Sequence, residues 1–418
     1  MELTDYRTVG RSGLRVSPLT LGTMTFGDPG WGSDADTSKE IIARFLDAGG
    51  NVIDTANGYS EGRSEQVIGE YLASRPGLRD RIVISTKYAR NMYPGDPNGG
   101  GAGRKAILEQ VDASLKRLGV DYIDLYWQHC LDQHTPIEES LATLNDLVRA
   151  GKIRYIGLSN TPAWAVSRMA TIAELRGWAP VVALQVEYSA VRRTVEGELF
   201  GAARELGLAV LPYSPLASGV LSGKYSRDNR TPEGSGRGPL AKAQLDGTNA
   251  FDVLDVLRAL AKRLDASVAA VALAWVRQQA PVTSTIIGAR SVTQLDANLE
   301  SLPVTIDEDG LRELDRVSAP DLNYPYPWLA SIAVPLTQSG TTRMSDLPAV
   351  GLTCAWCRSE RPERSDTEPS PQCWMTPQSL KSPYPDRGES SPAWLAEAAP
   401  HTFRQSPWPG QAPSRRRQ

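Results

Sequence analysis

The sequence predicts an α/β chain folded as a (β/α)8 TIM barrel, with an N-terminal β-hairpin before it and a disordered C-terminal extension after it. Two observations carry that expectation. Short apolar runs, marked by Leu19, Val52, Ile82, Ile123, Ile153, Val181, Leu208 and Ile286, alternate with stretches of helical apolar spacing. Eight such strands alternating with helices over about 300 residues are what a closed barrel requires. The second observation concerns the alternative, a doubly wound sheet. No Gly-x-Gly-x-x-Gly turn follows the first apolar run, so that fold lacks its usual signature.

Taken in order, Tyr6 to Pro18 alternates apolar and polar residues around Ser12-Gly13, which suits a tight hairpin turn. The first barrel strand follows at Leu19 to Met24. Thr37 with Glu40 reads as a capping box, and Ile41, Ile42, Phe45 and Leu46 form the apolar stripe of the first helix. Val52-Ile53-Asp54 is a strand ending on a carboxylate, with a helix expected from Ser64 to about residue 73. After the strand ending at Lys87 comes a Gly-rich loop, Asn91 to Gly103. The next helix, near 104 to 118, places Ile107, Leu108, Val111, Leu115 and Leu118 at helical spacing. A helix near 137 to 150 stops at Gly151. Strands are expected at 153–158, 181–186, 208–213 and 284–287. Helices near 162–175 and 197–206 separate the first three of these, and a pair near 252–264 and 267–278 precedes the last.

The strand ends are chemically unusual. Val52-Ile53 ends at Asp54, with Tyr59 five residues on. Ile82 to Thr86 ends on Lys87. Ile123 to Gln128 ends on His129, and Ile156 to Leu158 on Ser159-Asn160. Folding alone does not require successive strands to end in ionisable or hydrogen-bonding groups. In a parallel barrel the loops after the strand C-termini are where chemistry sits. A lone buried carboxylate is costly, so Asp54 needs a cationic partner. On these residues the chain resembles the aldo-keto reductase family, over roughly residues 5 to 330.

The resemblance implies a catalytic tetrad of Asp54, Tyr59, Lys87 and His129, and the chemistry is coherent with it. Reducing a carbonyl adds hydride to carbon and a proton to oxygen, and the proton donor must lie within reach. A cation beside a tyrosine favours the phenolate, and Lys87 is placed to supply it. Asp54 neutralises and positions Lys87. A neutral His129 orients the carbonyl oxygen, whereas His134 is expected to face solvent. The resemblance also implies a nicotinamide site. Its residues are Gly22, Thr23 and Met24 at the first strand end, Asp54, and Ser159, Asn160 and Gln185 for the carboxamide, with Tyr213 stacking on the ring. Ser214, Pro215, Leu216, Ala217, Ser218, Gly219 and Lys224 supply small residues, amides and a cation suited to pyrophosphate. Gly288, Arg290, Gln294 and Asn298 form the turn in which the family holds the adenosine 2′-phosphate and adenine. Ala297 stands where the family often has Glu, a departure at the ribose or adenine contact. The cofactor implied is NADPH/NADP, with an aldehyde or ketone as substrate. A second reading is a cofactor-sensing regulatory subunit with little turnover. The loops Phe26 to Asp34 and Asn91 to Gly103, with the 226–250 insertion, face the substrate but specify no pocket.

Composition narrows the partners. The chain has 418 residues, 41% apolar and 22% charged, with net charge −3. That balance gives no electrostatic reason to expect nucleic acid or an anionic membrane. No apolar run reaches the length of a membrane span, the N-terminus carries no secretory pattern, and Cys130 is the one cysteine in the main body. Together these predict a cytoplasmic enzyme acting on a small-molecule carbonyl. The barrel domain is expected to occupy 1–335. The Pro- and Ser-rich remainder, 336–418, loses all periodicity and reads as disordered. Its Cys354, Cys357, Cys373 and His401 are too irregularly spaced to argue for zinc, so no metal is expected.

Overall fold

A computed structural model describes residues 1–233, 238–246 and 248–329, all within one compact unit. The expectations about 336–418, including its disorder and its cysteines, lie outside the described residues. The N-terminal hairpin pairs β1 (Arg7–Thr8) with β2 (Arg15–Val16) antiparallel. Eight parallel strands follow: β3 (Leu19–Gly22), β4 (Val52–Asp54), β5 (Val83–Tyr88), β6 (Ile123–Gln128), β7 (Ile153–Ser159), β8 (Val181–Glu187), β9 (Ala209–Tyr213) and β10 (Thr285–Gly288). They run in chain order around the sheet, and β10 pairs with β3. The ring is joined between β9 and the approach to β10, where Val210 bridges Val282 and the Thr283 N–H donates to the Val210 carbonyl at 2.8 Å. This is the expected (β/α)8 barrel.

Alternation along each strand builds two cores. Val52, Val83 and Leu125 turn into the barrel and pack with Val9 and Val16 of the hairpin, which thereby closes one end. Ile53, Ile84 and Tyr126, one residue on, turn outward to the helices. Trp127 also fills the interior. Its register partner on β7 is Gly157, where an added Cβ would lie 2.2 Å from the indole ring. Glycine is therefore required at 157 for the largest interior side chain to fit.

The helices occupy the expected intervals with small shifts at their ends. Arg63–Ala73, Arg104–Leu118, Ile137–Arg149, Ala163–Arg176 and Leu199–Leu206 separate the strands, and Ala250–Arg263 with Val268–Gln278 precedes β10. The first helix corrects its predicted start. It runs Ala35–Asp47, and its cap is the Asp34 carboxylate, which accepts the Thr37 N–H at 2.8 Å. Thr37 is therefore inside the helix and does not cap it. An anionic oxygen one residue before the first turn satisfies the open N–H and favours the helix dipole. Helix Gly238–Leu245 inside the 226–250 insertion is an addition that no strong apolar period announced.

Candidate active site

Parallel strands deliver all their C-terminal ends to one rim. Asp54 ends β4, Lys87 is the penultimate residue of β5, His129 follows β6, and Ser159 and Tyr213 end β7 and β9. Gln185 lies near the end of β8. The rim thus gathers residues more than 150 positions apart in the chain.

Its centre is Lys87, with no exposed surface. The ammonium donates three hydrogen bonds: to Asp54 Oδ2 at 2.5 Å, to the Thr55 carbonyl at 2.8 Å and to Tyr59 Oη at 3.1 Å. Burial alone drives a lysine towards its neutral form. Here the charges of Asp54 and Tyr59 outweigh that desolvation, and the Lys87 pKa is raised. Asp54 is equally enclosed. Its Oδ1 accepts from Ser85 Oγ at 2.6 Å and from Gln185 Nε2 at 3.1 Å. Sequence reading had not singled out Ser85. Its signal was present, because it sits two residues before Lys87 on the same inward face of β5.

Tyr59 is presented by a sharply turned segment. Ser60, Glu61 and Gly62 have φ of 45°, 55° and 90°, three left-handed residues in succession. Such a conformation is costly without glycine and persists only where neighbours over-determine it. The constraint is visible. Ser60 Oγ donates to the Phe26 carbonyl at 3.0 Å. Ser64, opening the next helix, lies 2.8 Å from Thr23 Oγ1 and 2.9 Å from Thr55 Oγ1 and also donates to the Thr23 carbonyl. Thr23 donates through both its N–H and its Oγ1 to the Asp54 carbonyl. The first strand end and the Tyr59 loop are tied by these short polar side chains.

The His129 ring stands edge-on to Tyr59, with centroids 6.0 Å apart and planes at 82°. Burial first, then the Lys87 charge, and in smaller part Arg90, lower its pKa to about 4 against the pull of Asp54. The imidazole is therefore neutral at ordinary pH and able to donate one N–H. Its backbone carbonyl accepts Asn160 Nδ2 at 2.8 Å. His134 is exposed, as expected.

The remaining candidates form an arm that follows the ends of β3, β7, β9 and β10. Tyr213 donates to Asn160 Oδ1 at 2.9 Å. Burial, then Glu187 and Tyr59, push its phenol up to about 12. Ser159 is buried beside Asn160 Nδ2 at 3.1 Å. After Pro215 and Leu216 the backbone turns left-handed at Ala217, Ser218 and Gly219, and Ser214 is left-handed too. Lys224 is exposed, and its pKa is lowered by partial desolvation and then by the neighbouring charge of Arg290. Ser291 caps helix Val292–Leu299 by accepting the Gln294 N–H at 3.2 Å. Gln294 Oε1 accepts the Arg290 N–H at 2.9 Å, and Asn298 Nδ2 donates to the Gly288 carbonyl at 3.1 Å. Both amides therefore brace their own turn. Gly22 and Met24 are half-buried at the end of β3, where a Cβ on Gly22 would lie 2.7 Å from Ile286 Cγ2.

Comparison with known proteins agrees with this fold. Residues 18–319 match the aldo/keto reductase family. An aryl-alcohol dehydrogenase of Pestalotiopsis microspora is 36% identical over 324 residues, covering 76% of this chain and 82% of that protein. An uncharacterized oxidoreductase of Bacillus subtilis is 37% identical over 322 residues, covering 75% of this chain and 95% of that protein. Norsolorinic acid reductase A of Aspergillus parasiticus is 33% identical over 368 residues, covering 86% and 91%. The chain belongs to the aldo/keto reductase family and is an oxidoreductase with its barrel fold.

Proposed function

We propose that this protein reduces an aldehyde or ketone to the alcohol with NADPH, and that Tyr59 donates the proton. The observation that carries the reading is the buried Lys87 ammonium, which joins Asp54 and the partly exposed Tyr59 hydroxyl in one chain of hydrogen bonds. As Tyr59 gives its proton to the carbonyl oxygen, negative charge develops on Oη. Lys87, 3.1 Å away and held by two further acceptors, stabilises that charge without reorganising. Asp54 keeps the ammonium charged and aimed. Neutral His129 donates a hydrogen bond to the same carbonyl oxygen and fixes its direction towards Tyr59.

The residues present suit a nicotinamide dinucleotide. Lys224 and Arg290 lie close enough for one cation to depress the other, an arrangement that an anionic phosphate relieves. In this reading Ser159, Asn160 and Gln185 hold the carboxamide, Tyr213 packs on the ring, Ser214 to Gly219 offer amides to the pyrophosphate, and Arg290 holds the 2′-phosphate. When bound, the cofactor supplies the hydride. The names of the aryl-alcohol dehydrogenase and norsolorinic acid reductase relatives favour an aromatic carbonyl. Cys130, free and exposed, fits a reducing compartment such as the cytoplasm. Residues 1–335 are taken as the reductase unit.

NADPH consumption with a panel of aryl aldehydes tests the proposal. The parent chain should turn over, and Tyr59→Phe should lose on the order of 10² to 10⁴ in kcat while still binding NADPH. Reduction by Tyr59→Phe at the parent rate would remove Tyr59 as the acid. Tight NADPH binding with no turnover of any carbonyl would favour the regulatory reading.

A further inference from the structure

Arg90 is the next ionisable residue after Lys87 that reaches the rim, and three observations set it apart. First, the chain turns abruptly to place it. Ala89 has φ of 94°, a conformation a non-glycine residue seldom adopts, and is held by Gln110 Oε1 on its N–H and by the Gly101 N–H on its carbonyl. Second, the side chain is fixed although it is exposed. Nη1 donates to the Gly58 carbonyl at 2.8 Å, and the stem lies so close to Gly58 that an added Cβ there would come within 2.0 Å of Cδ. Gly58 directly precedes Tyr59. Third, the guanidinium has no carboxylate partner among the described residues, while its charge reaches His129. Arg79, Arg117 and the buried Arg193 are paired with acids, whereas Arg11 and Arg154, like Arg90, bond backbone carbonyls.

An exposed arginine ordinarily gains little from being immobilised, since holding its long side chain costs rotamer entropy. A strained turn and a glycine opened to fit its stem place this one beside the proton donor and the carbonyl-orienting histidine. We propose that Arg90 is a specificity-determining residue, and that it binds a carboxylate carried by the substrate on the same molecule as the reacting carbonyl. The inference rests on the reductase reading. The planar guanidinium keeps Nη2 and Nε for that carboxylate while Nη1 stays on Gly58. Arginine, always charged, serves this role without depending on pH.

The test compares 4-carboxybenzaldehyde with benzaldehyde in the parent, Arg90→Met and Arg90→Lys, reading kcat and KM separately with saturating NADPH. The ratio of kcat/KM for the carboxylated over the neutral aldehyde should fall tenfold or more in Arg90→Met, mostly through KM, because a hydrogen-bonded charge is lost. Arg90→Lys should recover part of the ratio. Raising salt should lower the ratio in the parent and leave it nearly flat in Arg90→Met. A ratio within threefold of the parent, or a parallel loss for both aldehydes, would show that Arg90 only supports the Gly58–Tyr59 turn. If the parent reduces neither aldehyde, the reductase reading loses its aryl-aldehyde substrates. Calorimetric binding of 4-carboxybenzaldehyde to the NADPH-loaded parent and Arg90→Met then decides the Arg90 assignment: tenfold weaker binding to Arg90→Met supports it, and equal binding overturns it.

Discussion

The Lys87 corner and the arm proposed for the cofactor share one rim but are built on opposite terms. At the corner every partner is internal. Lys87 has three acceptors, Asp54 has three donors, and both are cut off from water. In the arm the groups assigned to the cofactor are occupied with one another. Tyr213 bonds Asn160, Gln294 and Asn298 brace their own turn, and Lys224 stands near a second cation. The corner is complete without a ligand, and on the proposed mechanism it is preorganised for the charge that develops on Tyr59. The arm holds like charges together and is improved by an anion. The contrast teaches that the two halves of the site should fail differently when altered.

The largest effect is expected at the corner. Asp54→Asn leaves the Lys87 ammonium buried without its counter-charge, a loss of roughly 3–5 kcal/mol in folding stability. Activity should collapse as well. The double variant Asp54→Asn with Lys87→Met removes the charge altogether and should regain much of that stability while staying inactive. Urea unfolding of the single and double variants checks this. Equal stability for the parent and Asp54→Asn would mean that the pair contributes nothing to the fold.

A smaller effect follows from His129, whose pKa falls from an ordinary 6.5 to about 4 in the folded protein. The unfolded chain therefore binds more protons between those values, and stability must rise with pH there. The contribution is complete above about 6.5 and is lost as pH falls towards 4. Its upper bound is about 3 kcal/mol, reduced because the ring is half-buried. Unfolding free energies at pH 7 and pH 5 should differ by at most about 2 kcal/mol less in His129→Asn than in the parent. Identical slopes would show that His129 titrates normally. Through the same interval the neutral imidazole keeps its donor role, so kcat above pH 5 should show no step from this group.

The sequence made the corner legible and the arm only in outline. Asp54, Lys87 and His129 stood out because short continuous apolar runs mark the buried strands, and these residue types are too costly to bury idly. Ser85 went unnoticed, and Ser64 was read only as a helix start, without its bonds to Thr23 and Thr55. A buried serine resembles any small residue in sequence, and its role exists only once strands 30 or 40 residues apart are adjacent. The Asp34 cap was missed for a related reason: Thr37 and Glu40 offered a plausible box, and only the backbone geometry shows which oxygen meets the open N–H. In the arm, the residue types for phosphate recognition were readable, but not that Gln294 and Asn298 already serve their own helix turn.

That last point gives the finest test of the contrast. If the arm is completed by an anion, Arg290 should matter for the cofactor that carries one more phosphate. Arg290 follows β10 by two residues, directly before the capped turn at Ser291, and is half-buried there with its N–H on Gln294. Arg290→Ala removes the guanidinium but leaves the Ser291 cap and the Asn298 brace, so the fold should hold. NADPH binding should weaken by roughly 1.5–3 kcal/mol, the value of a hydrogen bond to a charged group. NADH lacks the 2′-phosphate and should bind the variant nearly as well as the parent. Fluorescence titration of both cofactors measures the difference directly. An equal loss for both would place Arg290 on another part of the nucleotide. No loss for either would leave Lys224 as the cation the phosphate meets, and relief from Arg290 should then raise the Lys224 pKa.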